Sequence, residues 1–289
     1  MNQSNVRPLK LGVIGDPIAH SKSPVMHEAA LRESGIAGEY KALHITPDRL
    51  ADMIAAVRED EYRGINITIP HKEHVMRYLD ELSEDARRIG AVNTIVNEGG
   101  RLVGRNTDGI GYVRSLKEEA AAELAGRRIV VVGAGGAARG IIHALAAEAP
   151  ERIVLLNRTT ERAEALANEW KDLADILAFS SDRAAEALRD ADIVINTTSV
   201  GMHPHLDETP LDPALLRGSE IVSDLIYNPL ETKLLRLARE KGCRTHGGLG
   251  MFVYQGAYAF EYWTGTPAPI EAMRTAVLQD MKGLTGKKG

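Results

Sequence analysis

The chain has 289 residues, enough for two ordinary domains with cores of their own. Its 35 basic and 40 acidic side chains leave a net charge of −5, which argues against the strong positive field that nucleic acid or an anionic membrane surface calls for. A hydrophobic content of 44%, one cysteine, a polar start over residues 1–10 and no uncharged run of bilayer length predict a soluble, cytoplasmic protein.

Residues 9–15 predict a first strand ending in a turn, and a helix follows from about Pro24. Between them, Ser21 and Ser23 stand at alternate positions, so that two hydroxyls and helix N–H groups can converge on one anion. N-capping by serine is the simpler reading of that spacing. A strand is predicted over 40–45, a helix over 48–59 and a strand over 64–69. The last runs into Asn66-Ile67-Thr68-Ile69-Pro70-His71-Lys72, where alternation puts Asn66, Thr68 and Pro70 on one face. A lysine lining a cleft can move a proton, although most single lysines are simply solvated. Residues 92–96, which carry Asn93 and Thr94, and residues 102–105 flank Glu98-Gly99-Gly100 as a hairpin. A long helix is predicted over 107–123. Asp108 at its start suits a helix cap; facing Lys72, it would hold and tune the ammonium, and spacing leaves both open.

From residue 128 to about 246, strands and helices alternate, as in a parallel sheet covered on both faces. The run Ile129-Val130-Val131-Val132 leads directly into Gly133-Ala134-Gly135-Gly136-Ala137-Ala138 and then a helical stretch. Strand, glycines, helix is the order a dinucleotide pyrophosphate needs. Gly133 permits the tight turn, Gly135 lets the backbone approach the phosphates, and Ala138 is the small residue where helix meets strand. The next strand, 152–156, ends in Asn157-Arg158-Thr159. An NAD site usually places an acid there, whereas a guanidinium pairs with a 2′-phosphate. The reading is therefore NADP, with Arg162 flanking the same phosphate if its segment is helical. Further strands are predicted over 192–196 and 220–224, and closing helices over 249–263 and 269–282. The aromatics Phe252, Tyr254, Tyr258, Phe260 and Tyr262 are too dense for one simple helix face. Neither His203 with His205 nor His71 with His74 has a third ligand at a recognisable spacing, so no metal is expected.

These stretches, in this order, resemble the shikimate dehydrogenase family. Later markers extend the resemblance over essentially the whole chain: Asn196-Thr197-Thr198-Ser199-Val200-Gly201-Met202, Asp224-Leu225-Ile226-Tyr227-Asn228-Pro229-Leu230 and Gln255-Gly256-Ala257. Two small departures are Glu28, where an Asn often stands, and Thr197, where Ala is common. The resemblance implies an α/β fold: a substrate domain over 1–109, a doubly wound Rossmann NADP domain over 110–248, and helices over 249–289 returning to the substrate domain. It implies reduction of 3-dehydroshikimate to shikimate with NADPH, in chorismate and aromatic amino-acid biosynthesis. Lys72 and Asp108 would be the catalytic pair. Ser21 and Ser23 would hold the substrate carboxylate with Tyr227 nearby, and Thr68, Asn93 and Gln255 the ring hydroxyls. The cofactor would meet Gly133, Gly135, Gly136, Ala137, Ala138, Asn157, Arg158, Thr159, Arg162 and Thr197, with Gly250 and Met251 near the nicotinamide. The partners implied are small molecules, and the sequence leaves monomer or homodimer open.

Overall fold

The computed structural model describes residues 7–59, 62–120 and 123–285. The chain forms two compact units, Met1–Thr107 with Gln255–Gly289, and Asp108–Tyr254. Each unit is built on its own six-stranded sheet. No helix among the described residues is long and apolar enough to cross a membrane.

In the first unit, β1 (Leu9–Gly15), β2 (Gly38–His44), β3 (Tyr62–Ile67), β4 (Glu81–Leu82), β5 (Thr94–Glu98) and β6 (Arg101–Arg105) align in the order β2-β1-β3-β5-β6-β4. Only β5 runs antiparallel to its neighbours. The carboxyl ends of β1, β3 and β6 and the start of β5 therefore share one edge of the sheet. The β5–β6 turn is made by Gly99 and Gly100, with φ of 65° and 96°, values a tight hairpin requires and only glycine adopts freely. Helices α1 (Ser23–Glu33), α2 (Leu50–Glu59) and α3 (Glu84–Ile89) complete the N-terminal part. Ile14, Ile54, Val57, Ile65, Ile67, Ile95 and Leu102 form its buried core.

The second unit begins with α4 (Asp108–Glu119), followed by β7 (Arg128–Val132), α5 (Gly136–Ala146), β8 (Arg152–Asn157), α6 (Thr160–Glu169), β9 (Ile176–Ser180), α7 (Ala184–Leu188), β10 (Ile193–Asn196), β11 (Ile221–Asp224), α8 (Lys233–Glu240) and β12 (Arg244–His246). All its strands are parallel, in the order β12-β11-β10-β7-β8-β9. Ile129 and Val131 pack with Tyr112, Ile141 and Leu145, while Val130 and Val132 pack with Leu188, Leu234 and Leu235. Covering both faces is why β7 reads as an unbroken apolar run. The chain then enters α9 (Leu249–Thr264), whose second half belongs to the first unit, and ends in α10 (Ile270–Thr285), which packs on α1.

Several elements differ from their predicted bounds. β3 stops at Ile67, two residues before its predicted end. The helix predicted from residue 48 opens as a 3-10 turn over Pro47–Arg49, and the one predicted to reach residue 123 ends at Glu119. β4, β9 and β12 were not anticipated; all three are edge strands, paired on one side only, where local sequence carries least signal. The dense aromatic segment is one continuous helix, α9, with Phe260 and Trp263 buried.

Within the first unit, the His27 ring is fully buried and stacks on Tyr40 with centroids 4.3 Å apart. Neither ring nitrogen has a hydrogen-bond partner among the described residues. Burial pushes its pKa from 6.5 down to about 3. The unfolded chain therefore takes up a proton near pH 6.5 that the folded unit refuses, and stability falls as pH drops below that value. The expected loss is about 2 kcal/mol by pH 5. Trp263 lies in this unit and Trp170 in the other, so Trp263 fluorescence in a Trp170→Phe background reports the first unit. Urea titrations on that background should show the acid-dependent loss, and His27→Phe should remove it; an unchanged slope would mean other groups carry it.

Candidate active site

The shared edge of the first sheet collects polar side chains. Lys22, not a serine, occupies the cap position of α1, and it makes no side-chain cap bond. Its Nζ instead pairs with Asp280 Oδ2 of α10 at 2.6 Å. Ser21 and Ser23 thus flank the cap position rather than occupy it. Ser21 Oγ accepts from the Ser23 backbone N–H at 3.2 Å, which turns the loop after β1 into α1. Thr68 follows β3; its N–H donates to Ile14 O at 2.9 Å, joining the ends of β1 and β3.

Asn93, just ahead of β5, is buried and hydrogen-bonded at both ends of its carboxamide. Its Oδ1 accepts from the Thr107 N–H at 2.8 Å and the Thr94 hydroxyl at 3.0 Å, and its Nδ2 donates to Thr107 Oγ1 at 2.9 Å. Its carbonyl accepts from Ile67 N–H at 2.8 Å and from Asn66 Nδ2 at 3.1 Å. Asn66 also receives the Tyr40 hydroxyl on Oδ1 at 2.7 Å. The half-buried Lys72 is tied to the same place through its backbone, where its carbonyl accepts from Val92 N–H at 2.8 Å. The preceding His71 is buried with Nε2 2.6 Å from Ile45 O, anchoring the loop that carries Lys72. Gln255 is half-buried on α9, and its neighbour Gly256 abuts Met26 and His27 of α1.

The second unit gathers its own set at the carboxyl ends of its parallel strands, the usual ligand end of an open α/β sheet. β7 and β10 are neighbours from which the chain winds outward in opposite directions. At that point Gly133 has φ 109°, and a Cβ there would meet Thr197 Oγ1 at 2.7 Å and Thr198 Cγ2 at 2.9 Å. Thr197 Oγ1 donates to Val132 O at 2.9 Å, bracing the turn across the two strands. Gly135 caps α5 with no side-chain bond, so the first N–H groups of α5 receive no side-chain cap. A Cβ on Gly135 or Gly136 would meet nothing within 4 Å, so the backbone there faces open space. Ala137 is exposed beside them, whereas Ala138 is fully buried against the strands. A concave backbone with free N–H donors at a helix start fits a pyrophosphate.

Asn157 ends β8 and donates through Nδ2 to Thr159 O at 2.8 Å, shaping the turn. Arg158 and Arg162 are exposed on either side of the α6 start, and neither pairs with a carboxylate among the described residues. That leaves both guanidinium groups available for an anion. Asp108 is the first residue of α4, half-buried. Tyr227, after β11, stacks on Phe252 with centroids 4.6 Å apart, and burial raises its phenol pKa. Gly250 is required by packing, since a Cβ there would run into Ser115 and Glu119 of α4. Met251 packs on the core of the second unit.

Two buried networks escaped sequence reasoning. Asp224 accepts from Thr232 Oγ1 at 2.7 Å, Asn196 Nδ2 at 3.1 Å and Ile226 N–H at 3.1 Å, while burial raises its carboxyl pKa. Asn196 Oδ1 in turn accepts from Thr198 N–H at 2.9 Å, so one network fixes the loops after both β10 and β11. His246 bridges Ser223 Oγ at 2.8 Å and Ser115 Oγ at 2.7 Å, and Tyr112 donates to Ser223 at 2.9 Å. These partners lie up to 131 positions apart in sequence and leave no local pattern.

The family described as shikimate dehydrogenase substrate binding domain matches residues 13–95, shikimate/quinate 5-dehydrogenase matches 115–217, and the shikimate 5'-dehydrogenase C-terminal domain matches 248–278. The shikimate dehydrogenase (NADP(+)) of a Geobacillus species is 49% identical over 271 residues, 94% of this chain and 98% of the relative. The chain belongs to the shikimate dehydrogenase family. Among solved structures, a shikimate dehydrogenase in complex with NADP+ superposes with a TM-score of 0.89 at 42% identity, covering 96% of each chain. The Thermus thermophilus shikimate 5-dehydrogenase in complex with NADP(H) and shikimate gives 0.85 at 38%, covering 94% of this chain and 99% of the other. Family membership agrees with the α/β fold, a mixed sheet in the first unit and a doubly wound parallel sheet in the second, and with the open glycine turn.

The open side of Gly135 allows folding and binding to be tested separately. Gly135 has φ −94° and room for a Cβ, so Gly135→Ala should leave the thermal midpoint within a few degrees of wild type, as a surface change does. The added methyl would occupy the open space above α5, so the KM for NADP should rise about tenfold or more. A normal KM would show that the phosphates lie elsewhere.

Proposed function

We propose that this chain catalyses the reversible, NADPH-dependent reduction of 3-dehydroshikimate to shikimate, in chorismate and aromatic amino-acid biosynthesis. It is an oxidoreductase acting on a CH–OH group. The observation that carries the reading is the 49% identity to an NADP shikimate dehydrogenase over 94% of the chain, together with intact chemistry at both sheet edges. In this reading the first unit binds the substrate and the second binds NADP. The buried Cys243 suits the reducing cytoplasm.

Ser21 and Ser23 hold the substrate carboxylate, joined by Tyr227, and Thr68, Asn93 and Gln255 bond the ring hydroxyls. Donor-rich contacts of this kind fix the ring so that its carbonyl is presented in one orientation. The N–H groups of the Gly133 to Ala138 turn hold the pyrophosphate, with Thr197 beside it. Asn157, Arg158, Thr159 and Arg162 surround the ribose 2′-phosphate. Arg158 and Arg162 stand where an NAD site would carry an acid, and a carboxylate there would repel that phosphate. Gly250 and Met251 border the nicotinamide.

When bound, NADPH supplies the hydride. Hydride addition to the carbonyl carbon leaves negative charge on oxygen, and the Lys72 ammonium donates a proton to that oxygen. In the reverse direction the neutral Lys72 amine takes the hydroxyl proton as hydride leaves. In this reading Asp108 orients the Lys72 amine. Removing Lys72 deletes an interaction made mainly in the transition state. Lys72→Ala should therefore lower kcat by about 10²–10⁴ while the shikimate KM stays within about threefold. Steady-state rates decide it: a raised KM with kcat intact would make Lys72 a binding residue only.

A further inference from the structure

Helix α1 opens with the wrong charge. A cation at a helix start opposes the dipole, and an acid in the first turn is the usual remedy. Lys22 takes the cap position of α1, and the first turn of that helix carries no acid. The ammonium is compensated from elsewhere: its Nζ lies 2.6 Å from Oδ2 of Asp280 on α10, the helix that packs on α1. This is not an ordinary surface pair. The Lys22 side chain is only 16% exposed and that of Asp280 37%. Asp280 Oδ2 is closed off from solvent and makes no well-aligned hydrogen bond among the described residues, so the Lys22 charge is what compensates it. Freely exposed pairs are worth little, whereas parting this one would leave a shielded carboxylate oxygen uncompensated.

Lys22 stands between Ser21 and Ser23, and the backbone around it has little slack. Its carbonyl accepts from Met26 N–H at 3.2 Å, which starts α1. Ser21 N–H donates to Ile18 O at 3.0 Å, and Ser23 N–H to Ser21 Oγ at 3.2 Å. A side chain anchored on a second helix therefore fixes both neighbouring hydroxyls at once. We infer that Lys22 and Asp280 form a positioning pair for the substrate carboxylate, clamping the serine loop to α10 so that Ser21 and Ser23 meet one anion together. The inference rests on the assignment of the two serines made above. Small misplacements of binding groups are costly, and here one shift of the loop would disturb two bonds. Lys22 acts as an anchor and not as a ligand, since Asp280 already neutralises its charge.

Asp280→Asn and Lys22→Met test the pair, because an anchor and a ligand give different results. Loss of the anchor should raise the shikimate KM about tenfold in both variants, with kcat and the NADP KM within about twofold. The double variant should be no worse than either single one, since each already breaks the same pair. Asp280→Glu, which keeps the charge, should hold the KM within about threefold of wild type. A KM that falls in Asp280→Asn and rises in Lys22→Met overturns the inference, because the freed ammonium is then a carboxylate ligand. So does a KM unmoved in both with only the thermal midpoint lowered, which makes the pair a packing contact between α1 and α10. Ser21→Ala and Ser23→Ala separate the inference from its premise. If they raise the KM while the charge variants do not, the clamp alone fails. If they leave it normal, the carboxylate assignment fails and the clamp with it.

Discussion

The buried carboxamide of Asn93 is the constraint around which the first unit's functional edge is arranged. A buried amide left without partners costs a few kcal/mol, so its two ends must be met on all sides. They are met by Thr94 and Thr107, while the backbone of the same residue is met by Ile67 and Asn66. Satisfying one residue therefore fixes the end of β3, the start of β5 and the segment after β6. Lys72 hangs from this arrangement through Val92, and Asp108 follows Thr107 directly in sequence. Side chains that must be placed to a fraction of an ångström are thus attached to backbone that has little freedom to move.

The second unit solves a different problem with a different device. A dinucleotide needs backbone donors and close approach rather than a specific side-chain cage. The reversal of winding between β7 and β10 supplies the crevice, and Gly133, braced by Thr197, supplies the turn. The buried Asp224 holds the loops after β10 and β11 through Asn196 and Thr232. Its desolvated charge is compensated by three donors, so removing any one of them would weaken both loops together.

What was legible in the sequence was what is local. The strand, glycines and helix around Gly133 are consecutive, and the Asn157-Arg158-Thr159 end of β8 follows by a fixed connection. The unbroken apolar run that marks β7 as covered on both faces is likewise contained in five residues. What escaped depends on distant partners. The spacing of the serine pair suits helix caps, whereas Lys22 occupies the cap position itself. Tyr40 carries no motif, and its buried bond to Asn66, 26 residues away, forms only on folding. His246 and the edge strands β9 and β12 are defined by neighbours that the chain reaches only on folding. The family resemblance named residues that spacing alone left undecided, Lys72 and Asp108 above all.

Oxidation and formation of shikimate with NADP as the partner can be measured directly. The most direct measurement is the initial rate of nicotinamide reduction with shikimate or quinate against NADP⁺ or NAD⁺, for wild type and Arg158→Ala. Shikimate with NADP⁺ should give a kcat/KM far above the other pairs, and the variant a selective loss with NADP⁺, as removal of a guanidinium–phosphate pair requires. Comparable wild-type rates with quinate or NAD⁺, equal loss for both cofactors in the variant, or no turnover with any pair would contradict it.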